Sequence, residues 1–482
     1  MAGPIMAGVA GGMPGAPMGP GGSSRPSLRK AMVVFQYKYF RYLWFSSVLS
    51  FTGMQMQQIA RALLAWHLTG SFGAVGLISL SFGLPMLLFS LIGGALSDRM
   101  EKRNLVLFTQ VMNAVLAIAH AVPVATGTMS IELLFVLGLV QGTGFALGMP
   151  ARTPLMAEAV GQQNMMSAIA MSNAAMNATR LFGPALAGAM IGVWGIESAY
   201  YAQAVLNTLS AVILIGVPTG LAVKMGARPF QRPGRGNMFV EIGHGLRYTV
   251  SQPRLRLLMA MMFIVSLFAM PYVMLLAGFV TDDLGRSDQD FGLLQSISGA
   301  GAIVASIAVA SMTESDRKPL LQWIAGIAGG LSLVALAVGS ELFGFTGAIV
   351  AIVLLGLTLT AYQTLNNTML MDEAEPEYYG RVMSVNMLSF SVMPLMALPL
   401  GMVADWLGAT TLFTILGLLV VLFTLLSGVM NPGYTFSRQE PRPERPMPPW
   451  AADAPREGAP ALDGAPPAMP GAGAAGSPGG GA

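Results

Sequence analysis

Three groups of polar side chains recur at helical spacing inside otherwise apolar stretches, where amides and guanidinium groups are suited to binding a polar solute. Met54, Gln58 and Arg61 fall on one helical face, and so do Asn173, Asn177 and Arg180. Tyr362, Gln363, Asn366 and Asn367 crowd within two turns, while Gln141 and Gln295 add single amides in other apolar runs. A polar group in hydrocarbon is costly, so each of these should face a cavity or a partner. None of the 23 Asp and Glu residues falls near the middle of an apolar run. Arg61 and Arg180 therefore need carbonyl dipoles, water or a visiting anion. An anionic solute is one expectation. Arginines bonded to helix carbonyls, or snorkelling along polar channels, are the other.

The elements that position these groups follow from composition. Of 482 residues, 54% are hydrophobic and 10% charged, with a mean hydropathy of +0.62. That is too apolar for a soluble multidomain protein. The apolar runs reach the roughly 20 residues a helix needs to cross hydrocarbon and do not alternate as barrel strands would. An all-α integral membrane protein follows, with expected spans at about 40–67, 72–97, 104–126, 130–151, 165–193, 197–219, 255–281, 290–312, 319–339, 343–366, 381–404 and 408–430. There is no cysteine, hence no disulfide framework, thiolate metal site or thiol nucleophile. No phosphate-binding Gly-x-x-x-x-Gly-Lys-Ser/Thr run, His-Glu-x-x-His zinc helix or Gly-x-Ser-x-Gly elbow is present, so no cofactor, metal or enzyme activity is expected.

The formal charge of +3 does not point to a nucleic-acid partner, because the basic residues mark one side of a membrane. All 26 Lys and Arg except Arg61, Arg180 and Arg286 fall in the tails or in alternate junctions, which puts both termini in the cytoplasm of a multi-pass protein of the cytoplasmic membrane. Residues 1–37 are expected as a Gly/Pro/Met-rich tail and 431–482 as a Pro/Gly/Ala-rich one, both disordered. The tail methionines Met1, Met6, Met13 and Met18 could offer thioethers to Cu(I), although a plain flexible tail is the simpler reading. Residues 221–253 read as a cytoplasmic linker in which Met238 to Tyr248 form an amphipathic helix. The linker divides 38–220 from 254–430 and leaves about six spans on each side, the layout of repeat-built carriers.

Two charged knots sit at matching junctions of the halves: Gly94-Ala-Leu-Ser-Asp98-Arg99-Met-Glu-Lys102-Arg103 and Glu314-Ser-Asp316-Arg317-Lys318. The first resembles the loop signature of the major facilitator superfamily, with Glu101 where that family usually has Gly. Pro150-Ala-Arg152, the run from Asn164 to Asn173, and Gly380-Arg381-Val-Met-Ser384 add to the resemblance, which covers roughly 38–430 and is nearest the branch of siderophore exporters and multidrug efflux pumps. It implies two pseudo-symmetric six-helix bundles and a latch in which Asp98 accepts N–H groups at the start of the eleventh span, near Gly380. Arg99 and Arg103 would then pair with Glu158, Asp372 or Glu373, and Asp316, Arg317 and Arg381 would serve the same gate. The alternative is that these charges are only topogenic. Gly183-Pro184-Ala-Leu-Ala-Gly188 resembles the superfamily's antiporter motif; its plain reading is helix packing.

The expected function is secondary active transport of a small molecule, first as proton-coupled export of an amphiphilic or anionic compound. Uptake of a small nutrient and a non-transporting sensor or scaffold are the alternatives. Protons are the candidate coupling ion, with Asp98, Glu158 and Asp372 as the carboxylates near the path and His67 and His120 close to outer span ends. The lipid bilayer and the substrate are the expected partners, and a monomer is the expected state. The 36 methionines suit either adaptable binding walls or ordinary packing.

Overall fold

The computed structural model describes residues 32–161, 164–221, 238–312, 315–375 and 378–435. Among them there is no strand. In the first half run α1 (Lys38–Thr69), α2 (Phe72–Arg99), α3 (Lys102–Ala125), α4 (Ile131–Val160), α5 (Met165–Trp194) and α6 (Ile196–Ile215). The second half holds α7 (Met238–Ser251), α8 (Pro253–Phe268), α9 (Tyr272–Gly278), a π-helical turn (Phe279–Asp283), α10 (Asp288–Ser311), α11 (Lys318–Glu373), α12 (Tyr379–Leu407) and α13 (Ala409–Met430). The expected spans fall on these helices, except that the one at 255–281 is broken into α8, α9 and the π-helical turn. Those at 319–339 and 343–366 are the two arms of α11, which turns back at Gly344 with φ 57° and ψ −138°. Gly supplies that left-handed backbone without a Cβ clash.

Eight helical stretches among the described residues are long and apolar enough to cross a membrane. Helices α1 and α5, 32 and 30 residues long, are as long as the rest. They are less apolar because they carry the Gln, Asn and Arg stripes. Elsewhere the outer faces are continuous apolar strips. Phe108, Val111, Val115, Ile118 and Val122 along α3, and Leu418, Leu422, Leu425 and Val429 along α13, are all exposed and recur every three or four residues. One greasy stripe per helix is what a lipid-facing surface requires.

Small residues set how closely the helices cross. Gly138, Gly142 and Gly93 bring α4 and α2 together, and Gly76, Gly83 and Gly401 do so for α2 and α12. At the other contact between the halves, a Cβ on Gly188 of α5 would stand 2.9 Å from the Cα of Gly292 in α10. A Cβ on Gly183 would meet Gln55 of α1, while a Cβ on Gly292 would stand 2.7 Å from the carbonyl of Pro184. The Gly183-Pro184…Gly188 run thus packs two neighbours at once, as small residues do between membrane helices.

Helices α1 and α6 run antiparallel, tied by Ser46 Oγ to Ser210 Oγ at 2.8 Å. Residue 221 therefore lies at one end of the molecule, the linker end, with the start of α1. The end of α1 lies at the far end.

Candidate functional site

A cavity of about 500 Å³ of empty space opens within the first half. Helix α1 contributes Ser50, Phe51, Met54, Gln57, Gln58 and Arg61, and α4 contributes Gln141, Phe145 and Arg152. Phe82 of α2, Asn113 of α3, and Gln203 and Asn207 of α6 complete the lining. Among the described residues no carboxylate lines it.

Helices α1 and α4 run antiparallel, and two contacts fix their register. Arg61 Nη1 donates to Gln141 Oε1 at 3.5 Å, and Arg152 Nη2 donates to Ser50 Oγ at 3.0 Å. The amides form a chain behind Arg61. Gln57 Nε2 donates to Gln141 Oε1 and Gln203 Nε2 to Gln57 Oε1, each at 2.8 Å, and Gln141 Nε2 returns a bond to Gln57 Oε1. Each guanidinium also lies over an aromatic face, Arg61 over Phe82 at 4.9 Å and Arg152 over Phe51 at 5.2 Å. Ring faces stabilise a cation without neutralising it. Among the described residues, therefore, no carboxylate pairs with either of the cavity's two positive charges.

The sequence-derived candidates divide into three groups. Gln58, Arg61 and Gln141 line this cavity. Asn173, Asn177 and Arg180 of α5 and Gln295 of α10 do not; Arg180 is exposed, and a Cβ on Gly299 of α10 would touch its backbone carbonyl at 2.8 Å. In the second half, Tyr362 lines a smaller cavity of about 330 Å³ with Gln322, Trp323 and Thr424. Gln363 Nε2 lies 3.5 Å from Met270 Sδ. Buried Asn366 donates to the Leu258 carbonyl at 3.1 Å, a bond that ties α11 to α8. Arg152, Gln57, Gln203 and Asn207 were not anticipated. Arg152 was assigned to a junction, but α4 continues past Pro150 and Pro154 to Val160 and carries Arg152 on its inner face. The Arg61-to-Gln141 spacing is matched by Ser50-to-Arg152, a signal that shows only once α1 and α4 are known to pair.

The charged knots are resolved differently from expectation. Lys102 Nζ, not Arg99 or Arg103, meets Glu158 at 2.8 Å, and the carboxylate is 6% exposed. Arg103 donates instead to the carbonyls of Val217 and Ile215 at 3.1 and 3.2 Å. In the second half Lys318 Nζ meets Asp372 at 2.7 Å, and Arg254 meets Glu373 at 3.3 Å. The duplication is thus real at the level of contacts: Lys102 opening α3 bridges to Glu158 near the end of α4, and Lys318 opening the first arm of α11 bridges to Asp372 closing its second arm. Asp316 and Arg317 are exposed. The side chains of Gly94, Asp98 and Arg381 lie outside the described residues, so the expected Asp98 latch does too.

Between described residues, every side-chain hydrogen bond or ion pair joining the halves sits at the far end. Trp66 Nε1 donates to Asp282 Oδ1 at 3.0 Å, and His67 Nε2 lies 3.2 Å from Asp288 Oδ1. Asp405, near the end of α12, closes on the start of α2: it accepts from Phe72 N–H at 2.6 Å, Gly73 N–H at 2.9 Å and Ser71 Oγ at 2.7 Å. A carboxylate there satisfies orphan donors and faces the positive end of the helix dipole. Its sequence context, Gly401-Met-Val-Ala-Asp405, repeats the Gly-x-x-x-Asp spacing of Gly94 to Asp98.

These features place the chain among membrane transporters of the major facilitator fold. It belongs to that superfamily's group described as transmembrane secretion effector, whose family model matches residues 30–454. It is 24% identical to the MFS-type transporter YfiS of Bacillus subtilis (strain 168), covering 76% of this chain and 86% of that one. Similarity to the staphyloferrin A transporter of Staphylococcus aureus (strain NCTC 8325 / PS 47) is 22%, over 81% and 96% of the two chains. Among solved structures the nucleoside transporter NupG superposes with a TM-score of 0.63 at 14% identity, covering 82% of this chain and 99% of that chain.

Proposed function

We propose that the protein is a secondary active exporter of an anionic, amphiphilic compound, working by alternating access in the cytoplasmic membrane with both termini inside. The observation that carries this reading is the first-half cavity, where Arg61 and Arg152 stand on aromatic faces with amides around them and, among the described residues, no carboxylate. Such a site needs an anion to complete it, and its Phe and Met walls accept an apolar body. The family description as a secretion effector favours outward movement. The residues 38–220 and 254–430 act as two lobes, with the linker end cytoplasmic. The far-end contacts of Asp282, Asp288 and Asp405 close the outer gate in the state described. In that closure the acceptors come from the second lobe and the donors from residues 66–73 of the first. Asp98, Arg99, Arg103, Arg317 and Arg381 serve the inner gate in the alternate state, and protons are the coupling ion.

Efflux from proteoliposomes under an imposed pH gradient tests this. An acidic amphiphile should leave faster than its neutral amide, and Arg61→Gln should abolish the difference. Equal rates for acid and amide, or no flux of either under any gradient, would refute the proposal; the latter outcome is the one a scaffold or sensor gives.

A further inference from the structure

We propose that the first-half cavity is a two-ended site for an elongated dianion, whose acidic groups are held separately by Arg61 and Arg152. The inference rests on the anion-export reading and narrows its substrate class. The two anchoring contacts, Arg61 to Gln141 and Arg152 to Ser50, are separated by the same interval on both helices, since 61 − 50 and 152 − 141 are each 11. At 1.5 Å per residue the two levels lie about 16 Å apart along the paired helices. Helical side chains lean toward the N-terminus of their own helix. Because α1 and α4 are antiparallel, Arg61 and Arg152 lean toward each other and bring the charges to roughly 10 Å. A small anion cannot touch both.

Each guanidinium makes one side-chain hydrogen bond between described residues, to Gln141 and Ser50 respectively. A guanidinium carries five N–H donors in a fork suited to bidentate carboxylate binding, so among the described residues each arginine keeps donors that no side chain engages. Between the two levels the lining mixes Phe51, Met54 and Phe145 with the amides of Gln57 and Gln58. Two forks joined by such a wall fit a molecule with an acid at each end and a middle that is apolar on one side and accepts amide hydrogen bonds on the other.

Calorimetric titration of the purified full chain in detergent, with decanedioate, its monomethyl ester and succinate, decides the matter. The ester keeps the length and loses one charge; succinate keeps both charges and loses the length. Decanedioate should bind about tenfold or more tightly than either, the gain expected from a second charge-assisted contact. Arg61→Gln and Arg152→Gln should each reduce it to the affinity of the ester, while Arg152→Lys retains part of the preference. The comparison in the unaltered protein requires no variant to fold. Equal affinity of decanedioate and its ester overturns the two-ended site, as does binding of neither. If both bind alike and both are exported in an Arg61-dependent way, the two-ended site fails while anion export stands. If neither is bound nor moved, both readings fall.

Discussion

Replacing Asp405 with Asn tests whether the far-end contact is a gate. The carboxylate accepts three hydrogen bonds, from Phe72 N–H, Gly73 N–H and Ser71 Oγ. Asparagine keeps one oxygen for these donors but turns an N–H₂ toward the others and removes the charge. Bonds to a charged acceptor contribute about 1.5–3 kcal/mol each against about 1 for neutral ones, and the favourable placement on the α2 dipole adds about 0.3–1 kcal/mol. Asp405 is exposed, so solvent screens it and the low end of each range applies. A net loss of about 1–2 kcal/mol follows, a shift of roughly 5–30-fold in the ratio of closed to open far ends. The chain has no cysteine, so Glu132→Cys and Glu341→Cys, both exposed, place a spin-label pair at the far end, one in each half. Pulsed dipolar distances in lipid should show a minor long-distance population that grows by that factor in Asp405→Asn. Ser71→Ala, which removes one neutral donor, should move it by less than tenfold. A distance distribution unchanged by Asp405→Asn would refute the gate, leaving Asp405 as an ordinary helix cap.

Other consequences follow from the packing and the charges. Lys102→Met leaves the nearly buried Glu158 unpaired and should destabilise the protein by about 3–5 kcal/mol, largely restored by Lys102→Met with Glu158→Leu. Lys318→Met should cost only about 0–1 kcal/mol, because Asp372 is 48% exposed; thermal unfolding in detergent compares them. Gly188→Leu drives a Cβ to 2.9 Å from Gly292 Cα and should cost about 1–3 kcal/mol of stability, with efflux lost at the same time. Arg61→Gln should lower export of an acid about tenfold or more, whereas Arg180→Gln, which lies away from the cavity, should leave acid-to-neutral discrimination unchanged in the same proteoliposome assay.

The helices were legible because their signal is local: length and apolar composition place each one without knowledge of its neighbours. The site was legible only in part, because a site in a helical bundle is a matter of which helices pair and in what register. Arg61 and Gln141 were found as buried polar residues. Arg152 was not, since a cation beside Pro150 at the edge of an apolar run reads as a loop charge. Proline removes one N–H and strains one turn, but a helix packed on every side can carry it, and α4 carries two. Arg180 shares a stripe with Asn173 and Asn177, but that stripe is not part of this cavity's lining, and periodicity alone does not say which way a face points.

Asp405 was overlooked for a different reason. Orientation rules count lysines and arginines, so an acid on the opposite side carries no topological weight. Its meaning comes from the spacing Gly401-x-x-x-Asp405, which matches Gly94-x-x-x-Asp98 on the partner helix. Helices α2 and α12 are antiparallel; at the end of α12, Gly401 packs closely on α2 and Asp405 caps the first turn of α2. That cap is made in the state described. On the alternating-access reading its counterpart, Asp98 on the start of α12, is made when the far end opens. The cycle would then exchange one carboxylate-on-helix contact for its counterpart, leaving the two states close in free energy. Near-degeneracy is what a carrier needs, since a solute shifts the equilibrium only by its difference in affinity for the two states. A latch at one end alone would hold the protein in a single state and leave bound solute with too little energy to release it.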